Sequence, residues 1–271
     1  MNRDFLQTNA DYYGADAYKA PFDDTTLADI NDWVNQETDG MIPEILDQIP
    51  QAAVMYLVNA LAFDAKWAQP YNEYSVQPGT FTAANGTTRT VDFMYSEEHA
   101  WLETENATGF IKYYQGGRYA FAALLPNEGV SVEDCLTSLS GEALQTMLSN
   151  PRYETVYTSL PKFEAEWSAE LSELLENMGM TAAFDGGQAD FTGLGTSSAG
   201  NIFISRVIHK TFISVAEDGT RAGAATLVEA CDEAAAEDPK QVYLDRPFLY
   251  MLIDCQTGIP FFIGTMLDPA E

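Results

Sequence analysis

The residue types that most often carry catalysis are sparse in this chain of 271 residues. There are two histidines, His99 and His209. A serine hydrolase would have to use one of them. Ser205 lies four residues before His209, and in a strand the two side chains would share a face, so Ser205 is the candidate nucleophile. No nucleophile-elbow pattern surrounds Ser205. Since no complete catalytic constellation can be assembled, we predict that the protein is not an enzyme.

The three cysteines do not suggest a metal centre either. Cys135, Cys231 and Cys255 lack the spacing of a metal site, and their odd number leaves at least one thiol unpaired. We therefore expect neither a metal, nor a cofactor, nor a disulfide framework.

The chain is strongly acidic, which limits its partners. It has 13 Lys+Arg against 41 Asp+Glu, a formal net charge of −28. This charge argues against binding to nucleic acid or to anionic lipid. It is typical of a solvated surface, and a preference for cationic partners is the alternative. No apolar run is long enough to cross a membrane, and the first residues lack the apolar stretch of a signal peptide.

Residues 217–230, EDGTRAGAATLVEA, have the chemistry of a segment that changes state. With a period of two, one face carries Thr220, Ala222, Ala224, Thr226, Val228 and Ala230, and the other carries Arg221, Gly223, Ala225, Leu227 and Glu229. The first face is small and uncharged, so it could enter a core without steric or desolvation cost. The acidic, alanine-rich stretch 231–238 that follows indicates an exposed loop. The pattern therefore predicts a loop that can become a strand.

The remaining patterns predict the scaffold for this segment. Helices are predicted at 27–37 (with Thr25 or Thr26 as N-cap), 43–48, 131–148 and 169–178, and strands at 53–63, 153–163, 202–215, 248–254 and 260–266. We expect strand 53–63 to be covered on both faces, with Asn59 as a buried polar residue. Helices and strands mix without a regular βαβ rhythm, which favours an α+β fold. In the absence of a repeat or linker, we predict a single domain over residues 1–271.

Seven ordered blocks of the sequence resemble the serpins, a family of serine protease inhibitors that act by conformational change. The blocks are Asn31-x-Trp33-Val34 with Thr38, Gly40 and Ile42; Leu57 to Trp67; Leu160 to Phe163; Leu174 to Phe184; Ala189 to Phe191; Ile208-His-Lys210 into Glu217-x-Gly219-Thr220; and Asp245 to Phe248 with Gly264 and Asp268-Pro269. The resemblance implies mixed β-sheets with surrounding helices and an exposed reactive-centre loop. The chain resembles the C-terminal two-thirds of the family fold, without its N-terminal third.

The resemblance also implies a mechanism, that of a suicide substrate. A target serine protease cleaves the reactive loop and forms a covalent complex, and the loop then inserts as a new strand into the main sheet. The residues matching the family's hinge are Glu217, Gly219, Thr220, Ala222, Ala224, Ala225 and Thr226. Asn59 and His209 match the shutter positions, and Trp67 matches the breach. For each of these three, a satisfied core residue is the alternative.

The cleaved bond follows from the family's usual spacing. Counting from Gly219 implies cleavage between Glu233 and Ala234. The stretch up to Pro247 is longer than usual, so Ala235 and Ala236 remain alternatives. A glutamate would suit a Glu-preferring protease, and an alanine would suit an elastase-like or subtilisin-like enzyme.

Two further expectations come from the resemblance. The protein is expected to be a monomer and to be secreted or extracytoplasmic. The rival interpretation is a non-inhibitory serpin-fold carrier, storage protein or chaperone, but such members tend to carry bulky or charged hinge residues where this chain has Ala and Thr.

Overall fold

The computed structural model describes residues 2–49, 55–197, 200–220 and 239–269. Its helices are α1 (Arg3–Tyr13), α2 (Asp24–Glu37), α3 (Val132–Ser138), α4 (Gly141–Ser149) and α5 (Ser172–Asn177). Its strands are β1 (Tyr56–Ala62), β2 (Ala65–Lys66), β3 (Val76–Thr82), β4 (Thr88–Glu103), β5 (Ala107–Tyr113), β6 (Tyr119–Pro126), β7 (Arg152–Pro161), β8 (Phe163–Glu170), β9 (Arg206–Ala216), β10 (Gly219–Thr220), β11 (Lys240–Tyr243), β12 (Phe248–Asp254) and β13 (Ile259–Met266). This mixture confirms the α+β prediction. The chain divides into two compact units, Met1–Ala62 with Glu166–Phe212, and Phe63–Ala165 with Ile213–Glu271.

In the first unit, helix α2 covers one face of a parallel strand pair. Strands β1 and β9 pair directly over seven positions, from Tyr56 opposite Arg206 to Ala62 opposite Phe212. A core forms from residues of α2, of the segment after it and of the two strands; its members include Val34, Ile42, Ile45, Leu46, Tyr56, Val58, Ala60 and Ile208. Apolar burial of this kind is the main term that holds the helix on the strands.

The expectation that β1 is covered on both faces is wrong for the described residues. Side chains alternate along a strand, so Val58 and Ala60 face the core with α2 while Leu57 and Asn59 face the other way. Leu57 is 45% exposed, and Asn59 is exposed as well. Because the described part of the chain supplies the α2 layer on one face only, Asn59 is not the buried polar residue that the apolar run predicted.

The helix predicted at 43–48 is absent, because a side chain satisfies that backbone instead. Asn31 Oδ1 accepts from the backbone N–H groups of Ile45 and Leu46 at 2.9 and 3.0 Å. Asn31 Nδ2 donates to the carbonyl of Leu46 at 2.8 Å. These bonds replace those that a helical turn would make for the buried segment. They also give a structural reason for the asparagine in the first sequence block, Asn31-x-Trp33-Val34.

Three predicted helices also differ in their bounds. The helix predicted over 169–178 begins only at Ser172, because β8 continues to Glu170. Asp23, rather than Thr25 or Thr26, caps α2: its carboxylate accepts from both threonine N–H groups. The helix predicted over 131–148 is two helices, because α3 ends at Ser138 with extended backbone at Leu139, and Ser140 then caps α4. The longest described helix, α2, has 14 residues, and none of the helices in the described ranges has the length and apolar character of a membrane span.

The second unit is built on an eight-stranded sheet. Its strand order is β11-β7-β4-β5-β6-β12-β13, and β3 pairs with β4. Helices α3 and α4 lie on this sheet, and Val132, Cys135 and Leu148 share its core with residues of β5, β6 and β12. The second unit also contains β2, β10 and the end of β9, which form the site described next.

Candidate functional site

The candidate site begins where β9 ends and the chain turns back as β10. Gly219 and Thr220 pair antiparallel with Ala216 and Val215 of β9. On their other side they pair antiparallel with Lys66 and Ala65 of β2. The start of the sequence-predicted hinge therefore already lies in a sheet, as a two-residue strand between β9 and β2.

Trp67 holds the end of β9 and the turn that follows. Its indole is fully buried, and Nε1 donates to the carbonyl of Ala216 at 2.9 Å. Its backbone N–H donates to the carbonyl of Asp218, also at 2.9 Å. The indole stacks on the ring of Tyr114, with centroids 4.4 Å apart and planes 10° apart. One buried aromatic pair thus supports residues 216–218.

Thr220 is bonded to the same aromatic pair. Its side-chain Oγ1 lies 2.6 Å from the hydroxyl of Tyr114, and either group can be the donor. Thr220 is 0% exposed and Tyr114 1%. Burial raises the pKa of the Tyr114 phenol above its ordinary value, so the hydroxyl stays neutral and able to donate. Each hydroxyl satisfies the other in a place that excludes water.

Gly219 is required by close packing of backbones. A Cβ at this position would lie 2.1 Å from the carbonyl oxygen of Ala65 and 2.7 Å from Cα of Lys66. Its φ is not in the left-handed region. The site therefore needs the absence of a side chain here, because any larger residue would push β10 away from β2.

A buried lysine lies against the rings of Trp67 and Tyr71. Lys112 is 2% exposed, and its Nζ donates to Oε1 of Glu98 at 2.7 Å. The ammonium lies 4.3 Å from the ring centroid of Tyr71 and 5.5 Å from that of Trp67. The backbone N–H of Tyr71 donates to the carbonyl of Glu217. The Lys112 ammonium is thus paired with a carboxylate. It also contacts the rings of Tyr71 and Trp67, whose backbone N–H groups bond the carbonyls of Glu217 and Asp218.

Glu217 also has an ion-pair partner, Lys162, with Nζ 2.7 Å from Oε1. About one third of each side chain is exposed (35% for Lys162 and 33% for Glu217). Desolvation alone would raise the pKa of the Glu217 carboxyl, but the Lys162 hydrogen bond and charge outweigh it and lower the pKa below its ordinary value. The pair anchors the first residue of the predicted hinge to the loop between β7 and β8.

We expect Glu217→Gln to lower the free energy of unfolding at neutral pH by about 1 kcal/mol or less, the range of partly exposed ion pairs. A carboxyl whose pKa is lowered on folding stabilises the protein above its unfolded pKa of about 4.3. That stabilisation is lost as the pH falls through the folded pKa. Urea unfolding of both proteins between pH 7 and pH 3 should therefore show the difference vanish at acid pH. Glu103→Gln, which breaks the more exposed Glu103–Arg152 pair, is the matched control, and an equal pH-dependent loss there would contradict the expectation.

Asn59 and His209 lie in the first unit, and the structure brings them together. They are direct partners in the parallel β1–β9 pair. Partners in a parallel pair share a face, so both side chains are on the face away from α2. The ring of Trp167 on β8 contacts the His209 ring edge-on, with centroids 6.0 Å apart.

Other predicted site residues lie outside the described residues. These are the hinge residues Ala222, Ala224, Ala225 and Thr226, and the candidate cleavage residues Glu233, Ala234, Ala235 and Ala236. Within the described part, the sequence reasoning missed Tyr114, Lys112 and Lys162. Lys112 carried a signal as a single charge between apolar residues of a strand, and Lys162 lies within the block Leu160 to Phe163, but neither was assigned a role.

A family model for serpins, described as serine protease inhibitors, matches residues 1–269. This chain is a serpin. Serpins in general inhibit proteases and do not catalyse reactions of their own. The family resemblance carried by the seven blocks is thereby confirmed, and with it the serpin-like fold class.

Similar serpins agree with this assignment. A serpin-like protein of Thermococcus kodakarensis is 32% identical over all of this chain, which spans 64% of that relative. Human serpin B10 is 30% identical over 98% of the chain, which spans 68% of it. The chain thus spans about two-thirds of the length of these relatives.

Two solved structures of the thermophilic serpin tengpin are similar to this chain. The native state matches with a TM-score of 0.92 and 47% identity, over 98% of this chain and 69% of tengpin. The latent state matches with a TM-score of 0.80 and 41% identity, over 98% and 71%. The TM-score to the native-state structure is thus the higher of the two.

Proposed function

We propose that this serpin inhibits a serine protease as a suicide substrate. The observation that supports the proposal most is the state of β9. Over residues 206–212 it pairs directly with β1, so a new strand could enter there only by replacing that pairing. Over residues 215–216 it already pairs with the start of the hinge. If the loop inserts as a strand, the first two residues of that strand, Gly219 and Thr220, are therefore already paired in the sheet.

The covalent step takes place on the protease. The serine hydroxyl of the protease attacks the carbonyl carbon of residue 233, and the bond to the nitrogen of residue 234 breaks. That nitrogen leaves as an amine, taking the proton lost by the serine, and an ester joins the protease to the loop. Water would hydrolyse this ester and free the protease. Insertion of the loop beside β9 before hydrolysis keeps the ester intact, so inhibition requires that insertion is faster than ester hydrolysis.

The small residues Ala222, Ala224 and Thr226 suit insertion and favour inhibition over a carrier, storage or chaperone function. We propose cleavage after Glu233, with Ala234, Ala235 or Ala236 as alternatives, and therefore a Glu-preferring, elastase-like or subtilisin-like target. The serpin is proposed to act as a monomeric, non-catalytic single domain outside the cytoplasm, without metal or cofactor, nucleic acid or membrane.

The test is to incubate the purified protein with an elastase, a Glu-specific protease and subtilisin, and to separate the products on denaturing gels. We expect a band that contains both proteins and resists SDS, because an ester joins them. Mass spectrometry of the released C-terminal peptide then identifies the cleaved bond. Clean cleavage by all three enzymes without such a band would contradict inhibition and favour the non-inhibitory alternative.

A further inference from the structure

The hydrogen bond between Tyr114 and Thr220 joins the first hinge residue to a fixed part of the second unit. Tyr114 directly follows β5 and is 1% exposed, and its ring stacks on Trp67. Its backbone N–H donates to the carbonyl of Tyr119, which fixes the residue at the β5–β6 turn. Thr220 is the last described residue before the gap at 221–238. The bond therefore lies at the C-terminal end of β10.

We propose that Tyr114 is a positioning residue that keeps Thr220 inserted before the loop is cleaved and thereby sets how fast the loop enters the sheet. This proposal rests on the proposed inhibition. Thr220 has two sets of bonds in the sheet: its backbone pairs with Val215 and Ala65, and its hydroxyl bonds Tyr114. Removal of the phenol hydroxyl would leave the Thr220 hydroxyl buried without a partner, which favours release of β10 toward water.

The consequence for inhibition follows from the relative rates of insertion and ester hydrolysis. With Thr220 held in the sheet, insertion after cleavage starts from a strand that already exists. If Thr220 is released, the strand must first be nucleated, and more of the ester is hydrolysed before insertion is complete. Tyr114 thus biases the outcome toward trapped protease without contacting the protease.

The variant that tests this is Tyr114→Phe, which keeps the ring and its stacking on Trp67. Tyr113→Phe is the matched control, because Tyr113 is the neighbouring residue and is 39% exposed. The first readout is amide hydrogen exchange in a peptide containing residues 216–220. We expect exchange to be about fivefold to tenfold faster in Tyr114→Phe, the effect of one net hydrogen bond, and unchanged in Tyr113→Phe.

The second readout is the number of serpin molecules consumed per protease inhibited. We expect it to rise at least about twofold in Tyr114→Phe, because the ester is hydrolysed more often, and to stay at the parent value in Tyr113→Phe. Thr220→Val removes the same bond from the other side. If the bond is responsible, the double variant should show no larger effect than either single variant.

The two readouts separate this proposal from the proposed function. Unchanged hydrogen exchange in Tyr114→Phe would show that the tyrosine does not hold Thr220 and would overturn the proposal. Faster exchange with an unchanged inhibition ratio would reduce Tyr114 to a structural residue, which overturns it too. If the parent protein traps no protease, the proposed function fails, and with it the expected effect of Tyr114 on inhibition. The exchange data would still decide whether Tyr114 holds Thr220.

Discussion

Thr220→Arg is expected to convert the protein from an inhibitor into a substrate. Thr220 is 0% exposed, so the variant would place a charged guanidinium where it has no partner and where water is excluded. The hinge would leave the sheet and insertion would slow. Each 1.4 kcal/mol added to a barrier slows a step about tenfold. We therefore expect the number of serpin molecules consumed per protease inhibited to rise by about tenfold or more, with loss of the SDS-resistant band.

The control for Thr220→Arg is the same substitution at Thr80, an exposed residue of β3. Thr80→Arg adds the same charge to the protein and should leave inhibition unchanged. Thermal unfolding of both variants shows whether the fold is retained. Inhibition by Thr220→Arg at the parent level would show that Thr220 is not part of the inserting face.

Trp67→Ala should produce the largest loss of stability among single substitutions at the site. The side chain is fully buried, stacks on Tyr114 and donates to the carbonyl of Ala216. Its removal leaves a large cavity and an unsatisfied carbonyl, and substitutions of this kind lower the free energy of unfolding by about 3–5 kcal/mol. Urea unfolding followed by circular dichroism measures the loss without depending on tryptophan fluorescence.

Trp167→Ala is the matched control for this substitution. Trp167 is 53% exposed, so its loss should change the free energy of unfolding by about 1 kcal/mol or less. Equal losses in the two variants would mean that Trp67 contributes no more than an exposed indole. In that case the stacked pair could not be the support of residues 216–218.

The sequence predicted the part of the site that depends on local pattern. Thr220 is buried as the small, uncharged face of 217–230 predicted, and β12 has the predicted bounds, 248–254. Tyr114 was missed because its partner is 106 residues away and the pair Tyr113-Tyr114 gives no sign of which ring is buried. A hydroxyl bond across that separation depends on how β5, β9 and β10 are arranged in three dimensions.

Other differences have equally local causes. Helix α1 was missed because its sequence is polar overall, and none of its residues is buried in the described structure. Asn59 was expected to be buried because apolar residues surround it on both sides in sequence, whereas the structure covers only alternate residues of β1. Gly219 was assigned to the hinge by the family resemblance. That role stays a prediction, but the contact with Ala65 supplies an independent reason for glycine.

The three hydrogen bonds of Asn31 have a mechanical consequence. Because one side chain of α2 fixes the backbone at Ile45 and Leu46, the helix and the segment after it cannot be displaced separately without breaking these partly buried bonds. Both also contribute to the core over β1 and β9. A rearrangement of that strand pair that displaces this layer is therefore expected to move α2 and the segment after it together.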